Sequence, residues 1–224
     1  MTQTLTRTDQ WLADFGTALE DGDTERAAGM FGEQSFWRDL IAFSWNIVTV
    51  EGPAGVKELL DATLAAAGPT GWHTTEEPSE ADGVTEAWIE FETAAGRGKG
   101  HLRLRDGKAF TLLTTLYELK GHEEPAFGRR PKGAEHGANR DRRSWLEQRE
   151  REAAELGHTT QPYTLIVGGG QGGIALGARL RQLGVPTIVV DKRGRPGDQW
   201  RSRYKSLCLH DPVWYDHLPY IKFP

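Results

Sequence analysis

A glycine-rich turn between two short apolar runs constrains this chain more than any other feature. Apolar residues 163–167 lead into the glycines, a helix-like segment follows, and the β-branched residues 187–190 end on Asp191. This order predicts strand, phosphate-binding turn, helix and strand. The spacing G-x-G-x-x-G is formed by Gly168, Gly170 and Gly173. The missing side chain of the first glycine permits the tight turn, that of the second lets the backbone approach a diphosphate, and that of the third lets the helix pack closely on the strand.

The acid at the end of the second run predicts a bound dinucleotide. Asp191 follows at the distance where a carboxylate accepts both hydroxyls of an adenosine ribose and repels a 2′-phosphate. The N–H groups at the helix start supply hydrogen bonds and partial positive charge to the diphosphate. Gln171, Gly172 and Lys192 complete this candidate cofactor-binding set. The fingerprint leaves FAD and NAD open, and the structural alternative is a glycine-rich loop in another α/β unit.

The helix between the runs has one face of small and apolar residues. Its members recur at intervals of three and four and are Gly173, Leu176, Gly177, Leu180 and Leu183. We expect this face to lie on the sheet and Gly184 to end the helix.

Three phrases follow Asp191: Pro196-Gly197-Asp198-Gln199-Trp200, Arg203-Tyr204 and Leu209-His210-Asp211-Pro212. They resemble the segment after the second strand in flavin-containing monooxygenases and the related Baeyer-Villiger monooxygenases. The resemblance covers residues 162–224 and implies that Asp191 holds the FAD ribose, that Gln199 and Trp200 contact the cofactor, and that Asp211 lies near the flavin ring. Two positions depart from the family pattern, since Asp198 replaces its second glycine and Asp191 its glutamate.

The resemblance implies an FAD- and NAD(P)H-dependent monooxygenase. Such enzymes transfer one oxygen of O₂ to a small organic substrate, by N- or S-oxygenation or in a Baeyer-Villiger reaction. Two alternatives stay open: another flavin oxidoreductase of the disulfide reductase type, which shares the first fingerprint, and a non-catalytic ligand-binding or dimerisation module.

The family carries a second glycine fingerprint, for NADPH, further along the chain. Here the sequence ends soon after Asp191, before a doubly wound sheet is complete. We therefore expect an N-terminal fragment of a longer enzyme, inactive alone, with NADPH or NADH bound by a downstream region. We assign no catalytic residue.

Composition argues against several other classes. The formal net charge is −5, so neither nucleic acid nor an anionic membrane is an expected partner. Because Cys208 is the single cysteine, a disulfide framework is excluded; we expect a buried, inert thiol in a cytoplasmic protein. The N-terminus lacks an apolar signal core, and no apolar run is long enough to span a bilayer. His210 and His217 have no partners at metal-site spacing, so no metal is predicted.

The first half of the chain predicts helices followed by an antiparallel sheet. Apolar residues at helical spacing predict helices over 8–20, 24–31 and 56–67. Strands are predicted over 35–50, with a break near Ser44, and over 84–93, 101–105 and 109–120. We expect a turn at 51–53, a flexible reversal at 96–100 and a tight hairpin at Asp106-Gly107. This order, with the phrases Trp-Leu-x-x-Phe, Gly-Asp, Phe-Trp-Arg-Asp-Leu and Glu-Gly, resembles the cone-shaped fold shared by nuclear transport factor two, ketosteroid isomerase and polyketide cyclases. The resemblance implies an α+β cone-fold domain and permits a homodimer through it.

A cone fold implies a pocket, and the candidates to line it are Trp37, Asp39, Trp72 and His73, with Asp39 as a proton acceptor by analogy. The alternatives that we favour are tryptophans in the core, Asp39 paired to a neighbouring arginine, and His73 exposed on a strand. We therefore predict no second active site.

The predicted fold class is an α+β cone-fold domain followed by the truncated start of an α/β Rossmann-type FAD-binding domain. The predicted domains are 1–120, a basic linker and helix over 121–160, and an incomplete FAD-binding domain over 161–224. Ser144 and Glu147 predict the capped start of the linker helix. The linker's basic residues are either solvated, which we favour, or lie against cofactor phosphates.

Overall fold

The computed structural model describes residues 7–130, 142–208, 210–212 and 214–222. The chain divides into two units, Met1–Glu123 and Glu124–Pro224. Part of the predicted basic linker, residues 131–141, lies outside the described residues, as does Leu209 of the third flavin-family phrase.

The first unit combines helices with one curved sheet. Its helices are α1 (Arg7–Glu20), α2 (Thr24–Gly29) and α3 (Gly52–Ala67); its strands are β1 (Phe31–Leu40), β2 (Ile47–Glu51), β3 (Thr70–Thr74), β4 (Ser79–Ala81), β5 (Val84–Glu92), β6 (Gly96–Arg105) and β7 (Lys108–Leu119). The strand order is β2-β1-β7-β6-β5-β3, with β4 also paired to β5. Only β1 and β7 pair in parallel among these described strands. The predicted α+β plan is confirmed.

The helices bury the stripes that their sequences predict. In α1, Trp11, Leu12 and Phe15 recur at helical spacing and are at most 5 % exposed. In α3, Val56 and Leu60 are completely buried. Each such side chain contributes about 1.5 to 3 kcal/mol through burial, so packing against the sheet stabilises these helices more than local propensity does.

Two helix boundaries differ from the prediction. The residues expected as a turn at 51–53 instead start α3, with Glu51 as its N-cap in extended conformation. Proline is tolerated in the first helical turn because its missing N–H has no partner there in any case. Helix α2 ends at Gly29, and Phe31 already belongs to β1.

The expected flexible reversal at 96–100 is wrong, because these residues form the first half of β6. A Cβ on Gly98 would lie 2.3 Å from the Phe91 ring, and one on Gly100 would lie 2.0 Å from the Leu113 carbonyl oxygen. The missing side chains of Gly98 and Gly100 therefore let the Phe91 ring and the backbone of β7 come close to β6. The chain reverses just before these glycines, where the Thr93 N–H donates to the Gly96 carbonyl oxygen at 2.8 Å.

Tight turns with left-handed backbone join two of the hairpins. The hairpin at Asp106-Gly107 is confirmed, with φ of 51° and 76° and Arg105 paired to Lys108. The same dipeptide at Asp82-Gly83, with φ of 52° and 74°, joins β4 to β5 and was not recognised in the sequence. Strand β4 was not predicted, because it is short and polar. For β3 the sequence analysis gave no bounds, but the expectation that His73 lies on a strand is confirmed.

Aromatic side chains fill the interior where the cone fold implies a pocket. Trp37 is completely buried and stacks on Phe31 with ring centroids 6.0 Å apart; Trp72 stacks on Phe91 at 4.3 Å. His73 is exposed on β3, with its Nε2 3.8 Å from a Glu90 carboxylate oxygen. The structure thus favours tryptophans as core and His73 as a surface residue.

Asp39 has no arginine partner in the described structure, so the pairing expected from the sequence is wrong. Its completely buried carboxylate accepts hydrogen bonds from the backbone N–H groups of residues 42, 43 and 44, and from the hydroxyls of Ser44 at 2.7 Å and Thr114 at 2.8 Å. Thr114 in turn accepts from Trp37 Nε1 at 2.9 Å. The carboxylate therefore holds the loop after β1 against β7, which explains its burial without a proton-transfer role.

Asp39→Ala is expected to destabilise the first unit by about 3 kcal/mol or more, because several buried donors lose a charged acceptor at once. Ser44→Ala removes one of those donors and is expected to cost about 1 kcal/mol. Urea unfolding followed by tryptophan fluorescence measures both; an Asp39→Ala protein as stable as the Ser44→Ala protein would contradict this role.

The second unit contains a strand-helix-strand unit preceded by a capped helix. Its elements are a 3₁₀ turn (Phe127–Arg129), α4 (Trp145–Glu155), β8 (Thr164–Val167), α5 (Gln171–Gln182), β9 (Thr187–Val190) and α6 (Asp198–Arg201). Strands β8 and β9 are parallel, which confirms the predicted Rossmann-type start. The predicted capping box is present, since Glu147 Oε2 accepts from Ser144 N at 2.6 Å and Ser144 Oγ from Glu147 N at 3.2 Å.

Helix α5 ends at Gln182, and Gly184 closes it as predicted, with φ of 71°. The Val185 N–H donates to the Leu180 carbonyl oxygen at 2.9 Å. Its expected inward face is only partly correct, because Leu176 is 47 % exposed. The two described strands are too narrow a surface to cover it. No helix in the described part of the chain is both long and apolar enough to cross a bilayer.

Candidate dinucleotide-binding site

The loop between β8 and α5 has a geometry that only glycine allows. Gly168 has φ of 108°, a backbone conformation that other residues rarely adopt. A Cβ on Gly173 would lie 1.9 Å from the Gly168 carbonyl oxygen, and one on Gly177 3.2 Å from Val189 Cγ2. The fingerprint spacing therefore lets α5 start directly over the end of β8 and pack closely on β9.

The start of α5 is free of acidic side chains. Gly170 is its N-cap, and its last turn carries Arg179 and Arg181, which complement the negative end of the helix dipole. A Cβ on Gly170 would lie 2.7 Å from Gln199 Oε1, because the Gln199 side chain packs directly against the loop backbone. Gln171 and Gly172 are exposed in the first turn. An anion placed there meets backbone N–H groups and no competing carboxylate of the helix.

Asp191 links the end of β9 to the glycine loop. Its Oδ2 accepts from Gly169 N at 2.7 Å, and its Oδ1 accepts from Arg193 N at 2.8 Å. The hydrogen bonds from Arg193 and then from Gly169 hold the pKa of this carboxyl below its usual range, so it is ionised at neutral pH. Each oxygen keeps a further lone pair, which leaves the carboxylate able to accept ribose hydroxyls while it fixes the loop.

Two cavities lie at the carboxyl ends of β8 and β9 and adjoin at Gln199. The strand-end cavity, of about 500 Å³, is lined by Val167, Gly168, Val190, Asp191, Lys192, Arg193, Gln199 and Arg203. The loop cavity, of about 480 Å³, is lined by Gly169, Gly170, Gln171, Ile174, Gly197, Gln199, Trp200, Tyr215, Asp216, His217 and Leu218. This edge of a parallel sheet is where doubly wound folds bind ligands. A larger cavity of about 840 Å³ lies among α4, α5 and β9, and its lining also includes Gly169 and Asp191.

Helix α6 brings two of the residues carried over from the flavin-family phrases to the loop. Gln199 and Trp200 both line the loop cavity, and Arg203 lies over the Trp200 ring at 5.7 Å. Asp198, which replaces the family's second glycine, accepts from Arg195 and Arg201 at 2.9 Å. Its carboxylate therefore stabilises its own turn and does not block the cavity.

Asp211 is exposed and is not among the described residues that line either cavity. The loop cavity is also lined by Tyr215, Asp216 and His217. Sequence reasoning did not select them for this site, because no fixed offset from the fingerprint identifies them. Cys208 is exposed, so the expectation of a buried thiol is wrong; no helix or strand of the described residues covers the segment around it.

The described residues fit a diphosphate-bearing dinucleotide. The glycine loop leaves space that a Cβ would fill, and an ionised carboxylate stands at the end of β9. Among the described residues, no cluster of His, Cys, Asp or Glu could hold a metal ion.

Comparisons with known proteins match this part of the chain. Residues 166–221 match the family described as NAD(P)-binding Rossmann-like domain. A protein of Geobacillus kaustophilus named uncharacterized oxidoreductase CzcO-like is 44 % identical over 55 residues, 25 % of this chain and 16 % of that protein. Indole-3-pyruvate monooxygenase YUCCA8 of Oryza sativa subsp. japonica is 44 % identical over 61 residues, 27 % of this chain and 14 % of that protein. The chain thus spans about one seventh of the length of these relatives.

Solved structures resemble about half of the chain. Rv0760c of Mycobacterium tuberculosis is 15 % identical, covers 50 % of this chain and 92 % of its own, and has a TM-score of 0.41. An NTF2-like protein of Cytophaga hutchinsonii is 14 % identical, covers 52 % and 95 %, and has a TM-score of 0.34.

Gly173→Ala is expected to disrupt the loop, because the new methyl group overlaps the Gly168 carbonyl oxygen, a backbone atom that cannot rotate away. We expect a loss of at least about 2 kcal/mol in the stability of the second unit. Gly172→Ala is the matched control: nothing lies within 4 Å of its Cβ position, and alanine favours the helix by up to about 1 kcal/mol. Hydrogen exchange of the β8 and α5 amides measures both, and equal protection in the two variants would contradict this geometry.

Proposed function

We propose that this chain is part of a flavin-dependent monooxygenase and that its second unit binds FAD. The observation that carries the proposal is the glycine loop standing between two cavities that adjoin at Gln199. One cavity contains Asp191 for the adenosine ribose, and the other contains Gln199 and Trp200 for the flavin side. Bound FAD, reduced by NADPH or NADH, supplies the transfer of one oxygen of O₂ to a small organic substrate.

The chain's own residues bind and orient the cofactor. The N–H groups at the start of α5 hold the diphosphate, and Asp191 accepts the ribose hydroxyls while its bond to Gly169 N keeps the loop in place. The Trp200 ring, 42 % exposed beside the loop, provides an apolar face for an aromatic ligand.

The monooxygenase proposal is preferred to the disulfide reductase alternative for two reasons. A redox Cys-x-x-Cys is absent from the sequence, whose single cysteine is Cys208. Relatives matched over the nucleotide-binding segment include proteins named as monooxygenases. We place the protein in the cytoplasm, since a single exposed thiol is compatible with a reducing compartment.

The test is titration of the purified chain with ADP, FAD and NAD⁺, followed by calorimetry and by flavin fluorescence. We expect FAD and ADP to bind, Gly170→Val to abolish FAD binding because its side chain fills the diphosphate space, and Asp191→Ala to weaken both ligands roughly tenfold. Glu150→Gln, on the exposed surface of α4, is the control and should bind like the wild type. Binding of NAD⁺ but not FAD would replace the flavin assignment, and wild-type affinity in Gly170→Val would contradict the site.

A separate observation favours self-association of the first unit. The outer face of its sheet carries Phe36, Trp88 and Tyr117, which are 45 %, 49 % and 42 % exposed, together with Ile47 at 69 %. Strand pairing places Trp88 beside His101, His101 beside Leu113, and Leu113 beside Arg38, in one row across β5, β6, β7 and β1. We propose that a second copy of the chain covers these exposed aromatic side chains in a homodimer.

Trp88→Glu is expected to shift the protein from dimer to monomer, because it replaces a large aromatic contact in the proposed interface by a hydrated charge. Trp45→Glu is the control, since Trp45 is 60 % exposed but lies in the loop between β1 and β2. Light scattering coupled to size exclusion gives both masses. A wild-type protein that is monomeric at micromolar concentration would overturn this assignment without affecting the FAD proposal.

A further inference from the structure

Two neighbouring strands of the first unit carry opposite charges on the outer face of the sheet. The inward residues of β5 are almost completely buried: Ala87, Ile89 and Phe91. Because side chains alternate along a strand, its outward charged residues form an acidic stripe of Glu86, Glu90 and Glu92, with Trp88 among them. By the same alternation, the outward residues of β6 form a basic stripe of Arg97, Lys99, His101, Arg103 and Arg105. The two stripes run side by side.

The charges are arranged symmetrically about Trp88. Strand pairing places Trp88 opposite His101, and the two ring centroids are 4.7 Å apart. Two residues away on either side, a glutamate lies opposite a cation; these pairs are Glu86 with Arg103 and Glu90 with Lys99. A surface that packs on Trp88 therefore meets an acidic and a basic group on each side of an aromatic centre.

These four charged side chains remain accessible to a second surface. Arg103 Nε lies 3.1 Å from Glu86 Oε2, but both side chains are more than 40 % exposed. Lys99 Nζ lies over the Tyr117 ring, 5.7 Å from its centroid. A Glu90 carboxylate oxygen lies 3.8 Å from His73 Nε2, which is at the distant end of the ion-pair range. Exposed pairs of this kind contribute little within the chain, so their charges can act on a partner as well.

The stripes distinguish two ways of laying a second copy on this face with its strands aligned. A two-fold axis across the strands places β5 on β5, so that Glu86 faces the partner's Glu90 and the two basic stripes also meet. A two-fold axis along the strands, between β5 and β6, places each acidic stripe on the basic stripe of the other copy at the same level. Glu86 then faces the partner's Arg103. Because like charges in contact are strongly unfavourable, the charges select the axis along the strands.

The twist of the sheets preserves this matching near the axis. Sheets packed face to face cross at about 30°, which moves a residue about 7 Å from the centre sideways by about 3.5 Å, less than the roughly 4.8 Å between strands. The four charged residues next to Trp88 and His101 lie at about that distance. Glu92 and Arg97 lie about twice as far away, and they are already bound within the chain, to Lys120 at 2.9 Å and Glu118 at 2.7 Å.

We propose that the two-fold axis of the homodimer runs along β5 and β6 beside Trp88, and that the acidic stripe of each copy contacts the basic stripe of the other. The inference rests on the dimer proposed above and adds its geometry and its charge pairing. Trp88 packs on the partner's His101 at the centre, and Phe36 on β1 lies toward the rim. Both stripes of both copies are used, so the contact closes with two chains.

The test exchanges the two stripes within one chain. The stripe-exchanged protein combines four substitutions: Glu86→Arg, Arg103→Glu, Glu90→Lys and Lys99→Glu. They leave the net charge unchanged and keep opposite charges across the two strands, so the fold keeps its cross-strand pairs. We expect this protein to dimerise like the wild type, because an acidic strand still faces a basic one. It should not form mixed dimers with the wild type, because like charges then meet on both sides of the axis.

Native mass spectrometry of an equimolar mixture with ¹⁵N-labelled wild type counts the mixed dimers. We expect them to be roughly tenfold below the statistical share. The matched control exchanges an exposed ion pair on α3, Lys57→Asp with Asp61→Lys, whose charged groups lie 2.7 Å apart in the wild type. Helix α3 is not part of the outer face, so this variant should mix with the wild type statistically.

Each other outcome overturns a defined statement. Mixed dimers at the statistical share would show that the stripes do not meet, and mixed dimers in excess would show that the axis runs across the strands. A folded stripe-exchanged protein that stays monomeric where the wild type is dimeric would also contradict the inference. A wild type that is monomeric at micromolar concentration overturns the dimer proposal itself, and this inference with it, while the FAD proposal is unaffected.

The salt dependence of the wild-type dimer gives a second readout that needs no variant. Charge pairs near the surface are screened by salt, whereas contacts between aromatic side chains are not weakened by it. Between about 0.05 and about 0.5 M NaCl we expect the Kd of the dimer to rise roughly tenfold, measured by sedimentation equilibrium. A Kd that stays constant or falls over this range would show that apolar contacts alone hold the dimer, against the proposed pairing of the stripes.

Discussion

The close approach of α5 to the Gly168 carbonyl oxygen is the constraint on which the candidate site depends. A methyl group at Gly173 would lie 1.9 Å from that oxygen, so the helix can begin directly over β8 only without a side chain there. This approach points the N–H groups at the start of α5 toward the carboxyl edge of the sheet. Asp191 then holds Gly169 N from the end of β9, and the loop is fixed before any ligand arrives.

The two sides of the loop differ in how much of their polarity the chain satisfies by itself. On the strand-end side, Asp191 already accepts two backbone hydrogen bonds, which keep it ionised and oriented. On the other side, Asp216 has a buried oxygen with no partner in the described residues. Preorganisation of Asp191 lowers the ordering cost of binding and therefore favours the bound state.

The first unit shows the opposite distribution. Its interior is filled by stacked aromatic rings, and its completely buried carboxylate, Asp39, is saturated by donors of the chain. Nothing in this arrangement requires a ligand for its stability. Apart from Trp45 in a loop, its exposed large aromatic residues lie on the outer face of the sheet. Exposed apolar side chains grouped in this way are typical of a surface that contacts another molecule.

The sequence by itself determined the strand-helix-strand unit, the hairpin at Asp106-Gly107 and the capped helix at Ser144, because each depends on residues close together in the chain. It did not identify Gly98 and Gly100 as strand residues, since their requirement comes from Phe91 and Leu113 on the neighbouring strands. The partners of Asp39 and the exposure of Cys208 were likewise decided in three dimensions. Asp216 is the clearest case: its place beside the glycine loop arises from the path of the chain after α6, and neither its solvent shielding nor its missing donor follows from local sequence. Local patterns specify backbone conformation, whereas the environment of a polar side chain depends on which distant residues the tertiary structure brings to it.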